Sequence, residues 1–131
     1  MAAPNIVNVA TITGITTFRV GISTVGASAG ITTIVTNAAS SNKVLKINSL
    51  VATAIGDTTG VTVQLFDGAG AHTAAAHTVS VATTMTVPLY SSLAVIDKTN
   101  SIYLQEGHQI GCTAQSNAGT IDIVCSYEDI S

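Results

Sequence analysis

Charge is what this chain has least of. Only 8% of its 131 residues are Asp, Glu, Lys or Arg, against about a quarter in an ordinary soluble domain. Its basic residues are Arg19, Lys43, Lys46 and Lys98. That is too few and too scattered for the basic patch that phosphate binding requires, which argues against nucleic acid as a partner. Tryptophan is absent, and with it the usual platform for stacking sugar rings. No uninterrupted apolar run approaches the length of about 18 residues needed to cross a membrane as a helix. The N-terminal MAAPNIVNVATITG has no basic segment ahead of an apolar one, so it does not read as a signal peptide and predicts synthesis in a cytoplasm. Cysteine is scarce too: Cys112 and Cys125 have neither metal-ligand spacing nor a CxxC arrangement, and a reducing compartment predicts two buried free thiols.

What fills the space is threonine, serine, asparagine and aliphatic side chains, with 47% of the residues hydrophobic. A free monomer normally coats itself with Lys and Glu. A coat of Thr, Ser, Asn and Ala repels neighbours weakly and loses little when dried, so the composition predicts an assembly subunit rather than an enzyme. The length fits one domain spanning 1–131, able to bury roughly two thirds of its unfolded surface.

Period-two alternation rich in β-branched residues dominates. It predicts strands over 6–13, 16–25, 31–36, 43–53, 61–66, 73–81, 85–89, 101–104, 109–114 and 120–127, separated by turn clusters at 26–30, 37–42, 56–60 and 67–70. This spacing predicts an all-β fold, an antiparallel β-sandwich or small barrel of jelly-roll-like or immunoglobulin-like type. Segment 1–13 reads either as the first strand or as a contact arm led by Ile6, Val7 and Val9, which could add a strand to a partner's edge.

Two strands show how the faces sort. Val61, Val63 and Leu65 oppose Thr62 and Gln64. In 43–53, strict alternation puts Leu45, Ile47, Ser49 and Val51 on one side and Val44, Lys46, Asn48 and Leu50 on the other. Both sides carry apolar groups, which predicts a second layer or a partner over the outer face. The last two strands, linked through Ser116-Asn117-Ala118-Gly119, read as a hairpin with Cys112 opposite Cys125 on its core face. Gly107 serves a turn, with Glu106 keeping it soluble.

Catalytic and cofactor chemistry finds no foothold. His72, His77 and His108 lack the spacing of a metal site. The acids are scattered, the cysteines lie on an apolar face, and the Asp67-Gly68-Ala69-Gly70 turn lacks the further acids of a calcium loop. The chain is therefore expected to have no catalytic residues, no metal ligands and no cofactor.

The segments SIYLQEGHQI (101–110) and IVCSYEDIS (123–131), APNIVNV (3–9) and NAASSNKVLKIN (37–48) resemble small virion structural proteins of tailed bacteriophages, especially those of marine cyanobacteria. Gln105 and His108 depart from the acidic pattern usual in that family. The resemblance implies a particle protein. The function expected from it is a capsid decoration (cement) protein, a homo-oligomer with a trimer favoured, bound to the major capsid protein or other virion proteins. It would resist internal pressure by burying apolar area at about 25 cal/mol per Å². A neck, tail or fibre-attachment protein is the alternative within the virion; a receptor- or carbohydrate-binding module is the alternative from another class.

Overall fold

A computed structural model describes residues 9–22, 31–67, 78–115 and 119–131. Among them lie nine strands and no helix: β1 (Ile12–Ile22), β2 (Thr32–Thr36), β3 (Val44–Ile55), β4 (Thr59–Asp67), β5 (Thr78–Val87), β6 (Ser92–Ile96), β7 (Ile102–Leu104), β8 (His108–Ala114) and β9 (Thr120–Ile130). They form two antiparallel sheets. The first has the order β1-β9-β3-β6, with β7 also on β3; the second has the order β2-β8-β4-β5. β6 and β7 run one after the other along the same edge of β3, at Leu50–Thr53 and at Leu45–Ile47, and act as one interrupted strand. Only β4–β5 is a hairpin between sequence neighbours; the other links either cross between sheets or pass from β6 to β7. This is the doubly wound Greek-key order of a jelly roll.

The inner faces meet in one aliphatic core. The first sheet contributes Ile47, Leu50, Ala52, Ala54, Ile121, Ile123 and Cys125, and the second Val61, Val63, Ile110, Cys112 and Ala114, all with no exposed surface. The Val61, Val63 and Leu65 face points inward as its alternation predicts.

β3 departs from strict alternation. Its register against β9 shifts between Ile47 and Ser49, leaving Asn48 as an extra residue. Such a bulge reverses the side-chain phase. Leu45 and Ile47 point inward before it, and Leu50, Ala52 and Ala54 after it. The two-sided apolarity of this strand is therefore largely one face whose phase changes midway.

The last two strands are not a hairpin. β8 pairs with β2 and β4, while β9 pairs with β1 and β3. The connection after Ala114 crosses from one sheet to the other. Cys112 lies opposite Val63 and Thr32, and Cys125 opposite Thr17 and Leu50, so the two thiols enter the core from facing layers rather than side by side. Apolar alternation brings both to the core in either arrangement, so it does not separate the two topologies.

Other boundaries also moved. β1 runs through Gly14 without a break, and β5 joins two predicted segments across two register irregularities. β6 has no predicted counterpart, because Leu93-Ala-Val-Ile96 is apolar throughout and shows no period-two alternation. The start of the predicted 73–81 strand, up to residue 77, lies outside the described residues.

A buried amide ties one end together. Asn37, 2% exposed, donates from Nδ2 to the carbonyls of Lys43 (2.9 Å) and Leu104 (3.0 Å). Its backbone carbonyl accepts from the Gly107 N–H at 2.8 Å, where Gly107 has a φ of 81°. Glu106 does more than solubilise this turn: its Oε1 accepts from the Asn42 N–H at 2.7 Å, holding Asn42 in a left-handed conformation. Replacing Asn37 by Leu strands the buried Leu104 carbonyl and the partly buried Lys43 carbonyl. It should cost about 2–3 kcal/mol in a urea titration. Gly119→Ala should also destabilise, by about 1–3 kcal/mol, because an added Cβ would sit 2.9 Å from the Asp57 carbonyl oxygen. Thermal unfolding of this variant tests that close approach.

Candidate functional site

The outer face of the first sheet carries cross-strand rungs that can be read from the registers. One is apolar across four strands: Phe18 on β1, Val124 on β9, Val51 on β3 and Ala94 on β6. Phe18 is 64% exposed and Val124 48%. Beside it runs a hydroxyl rung of Thr16, Ser126 and Ser49, in which the Thr16 and Ser126 hydroxyls are 3.0 Å apart. On the other side Thr53 and Ser92 share a hydrogen bond of 2.8 Å next to Asp122. Asp122 accepts from the Gly21 N–H at 2.9 Å, so one of its oxygens already holds the bulge in β1.

Further along lie Gly14, Glu128, Lys46 and Tyr103, with the Lys46 ammonium 6.0 Å from the Tyr103 ring centroid. Charge on this face is thus confined to Asp122 and to Glu128 and Lys46, while the apolar rung has no cover among the described residues. Sequence alternation alone did not find this rung. It depends on the Asn48 bulge, which turns Val51 outward, and on pairings between strands far apart in the chain.

β1 borders this face. It pairs only with β9, so its other side is a sheet edge among the described strands. Natural edges are commonly protected by Lys, Pro or bulges. Here the bulge comes late, between Arg19 and Ile22, and Arg19 is the one charge in the strand.

The residues singled out from sequence fall in different places. Ile6 and Val7 lie outside the described residues. Val9 is half-buried. The N–H groups of Ala10 and Thr11 both donate to the Ser131 carbonyl at 2.9 Å, and Ile12 and Thr13 already belong to β1, so this end of segment 1–13 is first strand. His72 and His77 lie outside the described residues, and His108 stands 3.4 Å from Asp67. Among the described residues no three His, Cys, Asp or Glu side chains converge as a metal site.

Cys112 and Cys125 are free and fully buried. Desolvation pushes both thiols up to about 12, with the Cys125 charge adding to the shift at Cys112. A thiol this far from ionising, and closed off from solvent, is a small core hydrophobe rather than a nucleophile. Two outcomes follow. A thiol-specific reagent at neutral pH should label neither cysteine until the chain is unfolded. Because the folded values are raised, the stability these neutral thiols provide is complete below their ordinary value of 9.0 and is lost as pH rises above it. Urea midpoints should therefore fall on moving from pH 8 to strongly alkaline buffer, and fall less in Cys112→Ala.

Comparison of the chain with family models, curated proteins and solved structures gives no match.

Proposed function

We propose that the chain is a structural subunit of a larger particle, docked through the outer face of the first sheet. In the reading the terminal segments favour, it is a decoration protein on the capsid of a tailed bacteriophage, carried in the virion after synthesis in the host cytoplasm. The observation that carries this proposal is the Phe18–Val124–Val51–Ala94 rung, flanked by uncharged hydroxyl rungs. Burying it against the major capsid protein removes apolar area from water at about 25 cal/mol per Å². Valine and threonine lose little rotamer freedom on docking. Thr16 and Ser126, and Thr53 and Ser92, each already share a hydrogen bond, which lowers the cost of drying these hydroxyls. Many copies add these small gains over a shell.

The jelly roll is compatible with this role but does not argue for it, since the same fold serves capsids, lectins and enzymes. Immunogold labelling of the phage particle should place the protein on the head in many copies. Label confined to the neck or tail would move it to the alternative virion role, and absence from particles would overturn the proposal. In a co-sedimentation assay with undecorated heads, Val124→Glu should lose binding by about 2 kcal/mol or more, because it buries an unpaired charge at the centre of the face. Unchanged binding by a folded Val124→Glu would contradict this docking surface.

A further inference from the structure

We infer that β1 is the contact for a second copy of this chain, paired antiparallel about a two-fold axis at Thr16. The stretch Ile12–Arg19 is the part of β1 that stays in register with β9; beyond it the register shifts at a bulge. Ile15 and Thr16 are its two central residues, and of these only Thr16 as the axis sets Gly14 opposite Phe18. Pairing two edges about it sets Thr16 against Thr16, Gly14 against Phe18, Ile15 against Thr17 and Thr13 against Arg19 of the second copy.

Three features of the single chain fit this register. The first is Gly14. A Cβ built there meets nothing within 4 Å, and its backbone is outside the left-handed region that favours glycine, so nothing in the chain itself calls for glycine. The second is Phe18, whose ring is 64% exposed on the same outer face. In the proposed register each Phe18 ring lies over the bare Gly14 of the second copy, the cross-strand arrangement by which aromatic side chains compensate an edge glycine. It occurs twice by symmetry. The third is the hydroxyl rung. Ser49–Ser126–Thr16 would continue across the axis into the same rung of the second copy, adding a favourable Thr–Thr pair.

Charge agrees as well. Arg19 makes no ion pair among the described residues; its guanidinium bonds only the neighbouring Phe18 carbonyl, at 3.1 Å. In this register it faces Thr13 of the second copy, whose neighbour on β9 is Asp129, an acid already paired with Lys43 at 2.9 Å, so no like charge opposes the guanidinium. Advancing to a register centred on Arg19 would stack the two guanidinium groups. Pairing uses the same edge of each copy, so the contact closes at two. The contact does not depend on which particle the outer face meets.

A cysteine placed at position 16 tests the axis directly. Either kind of antiparallel pair brings the two Cα atoms to about 4.5–5.5 Å, within disulfide reach. The full-length protein should sediment as a dimer over a concentration series. Thr16→Cys should cross-link to itself under mild oxidation, with no cross-link in the parent chain, whose cysteines are buried. Phe18→Cys, which faces Gly14 here, should cross-link far less. Thr16→Lys should weaken association by about fivefold through like charges meeting at the axis, with an unchanged circular dichroism spectrum. A monomer at every concentration, a trimer, or a folded Thr16→Cys that fails to cross-link would overturn the inference, as would stronger cross-linking at position 18.

Discussion

The fold depends on the two sheets burying their inner faces against each other. Neither sheet could survive alone, because its inner surface is almost wholly aliphatic. Leu50, Ala52 and Ala54 on β3 and Ile121, Ile123 and Cys125 on β9 occupy the middle of one layer; Val61, Val63, Ile110, Cys112 and Ala114 occupy the other. Residues as small as alanine and cysteine let the layers approach closely, as interior packing near crystal density demands. The strand crossings follow from this. A chain that alternates between layers uses nearly every strand to cover one from the opposite sheet.

With the interior filled by aliphatic residues, the outside is left to threonine, serine and a few charges. A face in which Phe18, Val124 and Val51 align across strands, with hydroxyls hydrogen-bonded on both sides, is poorly suited to repelling other protein and well suited to being covered. β1 joins this face to a sheet edge that no other described strand covers. The same strand therefore lies where a lateral contact between copies and a basal contact with a larger partner would meet.

Much of the fold was legible in the sequence, and the reasons are local. Val61, Thr62, Val63 and Gln64 alternate cleanly because β4 has one face toward the core. Gly107 marked a turn because its φ of 81° is costly for other residues. What escaped was non-local. Nothing about Asn48 and Ser49 distinguishes a bulge from regular strand, yet that one extra residue decides which way Val51 points. Cys112 and Cys125 lie on apolar faces whether their strands pair or face each other across the layers. The apolar rung assembles residues from four strands separated by long stretches of chain, so it emerges only once the registers are known. Glu106 looked like a solubilising turn residue because its partner, the Asn42 N–H, is 64 positions away.

The central claim is that the outer face of the first sheet is covered in the working state of the protein. Hydroxyl-radical footprinting of the chain within its native particle, compared with the isolated chain, tests this most directly. The account predicts strong protection of Val124 and Val51 on assembly. Oxidation of these two side chains at the same rate in the particle as in isolation would contradict it.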